Sequence, residues 1–154
     1  WNKVPFPLLI IPNTNLSYTI QKESYWLMNP MEFFTDQYAS WDVSYHMNGL
    51  LFNRIPLIRK LNWREVITCR GMFGYLSEKN RPDPLNTGVL YKLPYESNDY
   101  ENHYMKSTLP YIEASVGIEN IFKVLRVDYV RRFTYTNLPG VSKWGIRIQF
   151  HVQF

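Results

Sequence analysis

Residues 144–154 read Trp144-Gly145-Ile146-Arg147-Ile148-Gln149-Phe150-His151-Val152-Gln153-Phe154, and they decide the fold. Every even position is apolar, and every odd position is Gly, Arg, Gln or His. Successive side chains of a β-strand point to opposite faces of the sheet. The stretch therefore predicts a strand with one apolar face and one polar face.

The same alternation recurs upstream. Four further strands are predicted, at 39–51, 63–76, 112–119 and 125–135, with a short sixth candidate at 16–21. The strand at 39–51 has about 13 residues, whereas strands of soluble proteins usually have about five or six and membrane-spanning strands about 9–11. Two side chains break the pattern. Glu65 lies on an apolar face near a strand start, where a membrane interface could hydrate it, and Arg131 fits that face only at a bulge or a rim.

Composition narrows the classes of protein. The 154 residues allow one domain, and 17% of them are aromatic while 19% are charged. This balance is typical of a membrane barrel with aromatic girdles, although a Tyr-rich soluble sandwich would match it too. Cys69 is the single cysteine, which excludes an intramolecular disulfide and a cysteine-based zinc site. The net charge of +4 is spread along the chain, which argues against nucleic-acid binding.

The final stretch resembles the closing strand of an outer-membrane β-barrel, which ends on an aromatic residue. The resemblance implies recognition by the barrel-assembly machinery. The residues of this assembly signal would be Trp144, Ile146, Ile148, Phe150, Val152 and Phe154. The fold class expected is all-β, the C-terminal part of an antiparallel transmembrane β-barrel with about five or six strands here. Because closed bacterial barrels have eight strands or more, the other strands are expected to precede residue 1.

Loop lengths predict an orientation for such a barrel. Extracellular loops are long and periplasmic turns are short. The long loop at 77–110 then lies outside, with the turn at 137–142, while the connections at 53–62 and 120–123 lie inside. Residues 1–15, with three prolines, are expected to form an edge segment or a plug-like strip. The whole chain, 1–154, is treated as one barrel segment.

Several stretches resemble one known family. They include Val4-Pro5-Phe6-Pro7-Leu8-Leu9, Leu27-Met28-Asn29, Ile55-Pro56-Leu57 and, most specifically, the block at 110–154. They are similar to the C-terminal barrel of a Bacteroidetes-type outer-membrane family that joins a carboxypeptidase-regulatory-like domain to a domain of unknown function. More remotely, the final block is similar to the BamA-like outer-membrane assembly superfamily, although Arg70-Gly71-Met72-Phe73 only roughly matches its Arg-Gly-aromatic loop motif.

The polar faces hold the candidate site residues. Asp42 and His46 are too far apart along a strand to bind one metal directly, and Glu113 and Glu119 are too far apart for paired acid–base work. We expect the carboxylates to pair with arginines of neighbouring strands instead. No catalytic residue, cofactor or metal is predicted. The residues expected to face the lumen are Asp42, His46, Arg70, Glu113, Glu119, Arg126, Asp128, Arg132, Arg147 and Gln149.

The functional hypothesis is a non-enzymatic barrel of the cell outer membrane. Its expected partners are outer-membrane lipid, the barrel-assembly machinery and other envelope proteins. The leading hypothesis is a BamA-like barrel that assembles or translocates outer-membrane or surface proteins. The alternatives are a transport or docking barrel in an envelope complex and a soluble lipocalin-like binding module.

Overall fold

Five antiparallel strands form one open sheet in the computed structural model, which describes residues 4, 8–80, 104–138 and 140–150. The strands are adjacent in chain order, so the all-β prediction and the count of five are confirmed. Their bounds are β1 (Gln37–His46), β2 (Arg64–Tyr75), β3 (Tyr111–Ile121), β4 (Leu125–Arg132) and β5 (Trp144–Phe150). Within the described residues, no helix is long and apolar enough to span a membrane.

Strand ends differ from the prediction where the backbone turns. The strand expected at 39–51 ends at His46 because Asn48 and Gly49 have φ of 50° and 82°, which an extended strand does not allow. The strand expected at 125–135 ends at Arg132, and Tyr135 has φ of 54°. The sixth candidate at 16–21 is not a strand. Thr19 makes only an isolated parallel bridge to Ile148 of β5.

The connector between β1 and β2 is helical rather than irregular. It contains a 3-10 turn (Phe52–Arg54) and α1 (Pro56–Arg59). Proline suits the first turn of a helix because its missing N–H needs no partner there. Glu65 is buried against this connector, where its Oε1 accepts the backbone N–H groups of Leu51 and Phe52 at 3.0 and 2.6 Å. The expectation that an interface hydrates Glu65 was therefore wrong.

Arg131 lies on the apolar face without any bulge at its position. The register shift between β3 and β4 lies between Ile118 and Ile121, whereas Arg131 pairs directly with Ala114 and Trp144. Its guanidinium lies 5.9 Å from the centre of the Phe133 ring, a distance at which a cation–π attraction acts. Of the two explanations offered from the sequence, the bulge is wrong.

One face of the sheet is covered by the chain itself. The segment 8–35 packs on the face that carries Arg70, Glu113 and Arg132. Hydrophobic clusters lie between the two layers. Their buried members are Leu9, Trp26, Leu27, Met28, Phe33, Phe34, Met72, Leu76, Met105, Tyr111 and Val130.

The opposite face is apolar and exposed. Val116, in the middle of β3, exposes 60% of its surface. The other large side chains that are exposed on this face show 36% to 74% of their surface. The exposed large side chains of this face are Val43, Tyr45, Ile67, Phe73, Tyr75, Val116, Tyr129, Phe133, Trp144, Ile146, Ile148 and Phe150. Over β2 to β5 the sheet thus has much of its polar face covered and its apolar face open, the reverse of an ordinary soluble sheet, while the polar side chains of β1 are exposed.

Three predicted features lie outside the described residues. They are most of the long loop at 77–110, the turn residue at 139 and the final positions 151–154, which include Val152 and Phe154 of the predicted assembly signal.

Candidate functional site

The charged side chains of the covered face hold residues 24–32 on the sheet. The clamp consists of Arg70 on β2, Glu113 on β3, Arg132 on β4 and Arg147 on β5. Arg70, Glu113 and Arg132 lie in one row, because Glu113 pairs in register with both arginines. Alternation along the strands places all four on the same face, so the pattern that predicts the strands also assembles the clamp.

Glu113 binds backbone rather than an arginine. Its carboxylate accepts the N–H groups of Trp26 and Leu27 at 2.8 and 3.0 Å and the hydroxyl of Tyr111 at 2.9 Å. The side chain is almost completely buried, with 1% of its surface exposed. The predicted pairing of Glu113 with an arginine of a neighbouring strand was therefore wrong. Two successive amides aimed at one carboxylate fix the local backbone.

The arginines bind the carbonyls of the same segment. Arg70 donates from Nη1 to the Ser24 carbonyl at 2.8 Å, and its guanidinium lies 4.0 Å from the centre of the Trp26 ring. Arg147 donates from Nη2 to the Trp26 carbonyl. Backbone groups buried without partners would cost free energy, so these donors stabilise an otherwise irregular segment.

Arg132 makes the most contacts within the clamp. It donates from Nη1 to the Leu27 carbonyl at 3.3 Å and forms a two-pronged ion pair with Glu32, with Nη1 to Oε2 at 3.0 Å. Its Nε and Nη2 donate to the carbonyls of Thr134 and Tyr135, both at 2.9 Å. Arg132 therefore ties the segment 24–32 to the turn after β4.

A cavity of about 690 Å³ lies beside the clamp, at the end of the sheet where β1 and β3 finish. Polar contacts cross its walls: His46 Nδ1 lies 3.2 Å from Oε1 of Glu119, and the Asp42 carboxylate forms an ion pair with Arg70 at 2.7 Å. The charged or titratable residues lining it are Lys22, Glu23, Asp42, His46, Arg64, Arg70, Glu119, Lys123 and Arg126. Five of these residues are Lys or Arg and three are Asp or Glu.

Asp128 and Arg126 form a second buried pair next to the cavity. Nε and Nη2 of Arg126 donate to the two carboxylate oxygens of Asp128 at 2.7 and 2.8 Å. Ser115 adds a hydrogen bond to Oδ1 at 3.2 Å. Gly117 leaves room for this carboxylate, because a Cβ at Gly117 would lie 2.5 Å from Oδ1 of Asp128.

All ten residues expected to face a lumen lie on the polar face of the sheet. The structure divides them between the clamp with the Arg126–Asp128 pair and the cavity wall, which Asp42, His46, Glu119 and Gln149 line. Trp144, Ile146, Ile148 and Phe150 of the predicted assembly signal lie on the opposite, exposed face.

The sequence did not predict the segment that the clamp holds. Residues 24–32 show no alternation, and they meet the strands mainly through backbone atoms, which every residue type supplies. Tyr25 was missed as well. Its hydroxyl donates to the Gly71 carbonyl at 3.2 Å, and burial together with the Glu113 charge raises its pKa to about 12. Tyr25 therefore stays protonated and serves as a fixed donor.

The described residues bring no metal-ligand set together: within 8–80, 104–138 and 140–150, no three His, Cys, Asp or Glu side chains could hold one ion. The charged groups of the clamp bind backbone atoms, and Asp128 pairs with Arg126.

Residues 13–81 match a family model described as the C-terminal domain of a family of unknown function (DUF5686). The match covers less than half of the chain and lies outside the 110–154 block, which carries the most specific part of the resemblance. No curated protein and no solved structure matches the chain. The match supports the resemblance to a family of unknown function that residues 27–29 and 55–57 suggest, and the family's description states no activity.

Proposed function

We propose that this chain is part of a transmembrane β-barrel of the bacterial outer membrane, with the apolar face of the sheet against lipid. The polar face would line an interior that the segment 8–35 partly fills. The observation that carries the proposal is the reversed polarity of the sheet: side chains such as Val116 and Tyr129 are exposed while Glu113, Asp128 and Arg132 are buried.

This arrangement is unusual for a soluble protein. Large contiguous apolar patches on soluble monomers are rare and mark interaction sites. Here the patch runs over all five strands, and on the other face the clamp binds backbone groups of the segment 24–32. In a bilayer both features are favourable, since lipid contacts the apolar side chains and the charged groups stay away from hydrocarbon.

The stagger of the strands supports a barrel. Tyr111, the first residue of β3, pairs with Met72, three residues before the end of β2 at Tyr75. Glu113, two residues into β3, pairs with Arg132, the last residue of β4. Over the four strand pairs the offsets are 0, 3, 2 and 1 residues at this end of the sheet, a mean of roughly 1.5, and 2, 2, 0 and 0 at the other end, a mean of roughly 1. At ~3.3 Å per residue and ~4.8 Å between strands, these means correspond to tilts of about 35–45°. Membrane barrels have strands tilted by about 35–45°.

The two edges of the sheet would have to be paired in a membrane. Unsatisfied backbone groups cost several kcal/mol each in hydrocarbon, so spanning sheets close on themselves. Among the residues that the structure describes, β1 pairs only with β2, and β5 pairs with β4 on one side and meets 18–20 at a single bridge on the other. The proposed barrel therefore includes further strands between β1 and β5.

For the activity of this barrel, we propose assembly or translocation of outer-membrane or surface proteins. The remote similarity of the block 110–154 to the last strands of the BamA-like superfamily supports it. A second candidate is a transport barrel, which the clamp favours because some transport barrels hold a segment of the chain in the lumen as a plug. In a strain that depends on the protein, loss of assembly function would lower the amounts of many outer-membrane proteins together. Loss of transport would leave them unchanged and reduce uptake of a particular solute.

Location is tested by cell fractionation of the full-length protein, followed by gels of boiled and unboiled samples. We expect the protein in the outer-membrane fraction, with faster migration when unboiled. Val116→Arg should abolish the fast-migrating form, whereas Gln37→Arg, on the same face but at the rim where β1 begins, should retain it, because an arginine near the interface costs little. A protein that stays in the soluble fraction with one mobility would overturn the proposal.

A further inference from the structure

The connector between β1 and β2, residues 47–63, exposes an unusual amount of apolar surface for a turn. Leu57 is 84% exposed, and it is not alone. The exposed large apolar side chains of the connector are Leu50, Leu51, Ile55, Leu57 and Leu61. Periplasmic turns of barrels are usually short, so a turn with two helical pieces and five exposed aliphatic side chains requires an explanation.

The connector is fixed to the apolar side of the sheet. Glu65 shares a face with Ile67 by strand alternation, and that face is the open, apolar one. Because Glu65 accepts the N–H groups of Leu51 and Phe52, the connector folds back over the edge of this face. Its apolar surface is thus continuous with the surface that we assign to lipid.

The charge of the connector has one sign. Its charged side chains are Arg54, Arg59 and Lys60, all exposed, and residues 47–64 contain no Asp or Glu. Phe52 and Trp63 pack edge to face with ring centres 6.3 Å apart. Exposed leucines beside basic groups and a tryptophan are the composition of a segment that lies in a membrane interface.

We infer that residues 50–61 lie in the headgroup boundary of the phospholipid leaflet on the periplasmic side, with Leu57 and its neighbours among acyl chains. The basic side chains would then contact lipid phosphates. This inference rests on the proposed membrane location. Charge complementarity and continuity with the apolar face favour lipid over a protein partner.

Spin labelling tests this placement in the full-length protein. In a Cys69→Ala background, single cysteines at Leu57, Ile148 and Glu78 are labelled with a nitroxide. The protein is then reconstituted in vesicles of phosphatidylethanolamine and phosphatidylglycerol. Molecular oxygen concentrates in hydrocarbon and a neutral nickel chelate in water, so the ratio of their effects on the label reports depth. Glu78 is exposed in the short helical turn after β2 and serves as the water reference.

We expect oxygen to relax the label at 57 more than the chelate does. The depth calculated from this ratio should lie between the depths of the labels at 148 and 78. If label 57 matches label 78 while label 148 stays in hydrocarbon, the connector inference is wrong and the proposed function stands. If labels 57 and 148 both report water, the proposed function fails with it. If label 57 is water-accessible in vesicles but shielded in native outer membranes, a protein covers the connector and the lipid assignment is overturned.

Discussion

Glu113 illustrates how single residues organise this molecule. Its carboxylate lies between two arginines in register, Arg70 and Arg132, yet its oxygens bind the amides of Trp26 and Leu27. The arginines in turn bind carbonyls of the same segment. The Glu113 carboxylate therefore binds backbone N–H donors of the segment 24–32, and the arginines bind its carbonyl acceptors.

Glu113→Gln tests the clamp. The amide has one oxygen and would turn its NH₂ group toward a backbone N–H, leaving buried groups without partners. We expect a loss of about 3 kcal/mol in the free energy of unfolding, because breaking a buried charged network typically costs about 3–5 kcal/mol. Guanidinium unfolding in detergent measures it, with Glu78→Gln at an exposed site as the control. Equal midpoints for the two variants would show that the clamp does not stabilise the fold.

The hydrogen bonds to Asp36 predict that the stability of the fold depends on pH. Burial raises the pKa of Asp36, but hydrogen bonds from Ser77 and Asn80 outweigh it and leave that pKa below its ordinary value of 3.8. The Asn80 amide donates at 2.7 Å and the Ser77 N–H at 3.2 Å. Because the folded pKa is depressed, the stabilisation is present above about pH 3.8 and is lost as the pH falls through the folded value.

Asp36→Asn should therefore destabilise the protein by about 1 kcal/mol at neutral pH, given the value of hydrogen bonds to a charged group and the partial exposure of Asp36. The difference from the unmodified protein should shrink as the pH is lowered from about 5 toward 2. Unfolding midpoints of both proteins across this range measure it. A difference that is constant with pH would mean that the Asp36 charge plays no part.

At the scale of elements, the alternation of apolar and polar residues predicted the strands and their faces. It did not predict where each strand ends. Alternation specifies which side chains share a face, so the polar and apolar sets follow directly from the sequence. Where a strand ends depends on backbone conformation, as at Asn48 and Gly49, and alternation continues past such positions. The helical connector was missed because its fold depends on Glu65, a residue that the pattern treats as an exception.

Ile148→Arg tests the assignment of the apolar face to lipid. Ile148 lies on the exposed apolar face of the edge strand β5, directly opposite Val127 of β4. An arginine facing lipid near the middle of the membrane costs about 2–4 kcal/mol, whereas on a water-exposed face it costs close to nothing. Unfolding from lipid vesicles measures the difference, with Gln37→Arg as the matched control. The assignment would be contradicted by two variants of equal stability.

At the scale of the whole molecule, the covered face could not be predicted from the sequence. The sequence identifies a polar face but not what lies on it, because residues 24–32 have no periodicity and bind mostly through backbone atoms. Only the strip 1–15 was expected to resemble a plug, and the structure shows that the contacts extend through Glu32. The layer of residues 8–35 is what makes the polar face an interior surface.

The most direct test of the account is photo-cross-linking in native outer membranes with a lipid that carries a diazirine in its acyl chain. Peptide mass spectrometry then locates the adducts. We predict adducts on Val43, Val116, Tyr129 and Ile146, on the exposed face, and none on Asp42, Glu113 or Arg147. Adducts spread equally over both sets, or absent from the first set while the lipid labels known membrane proteins, would contradict the account.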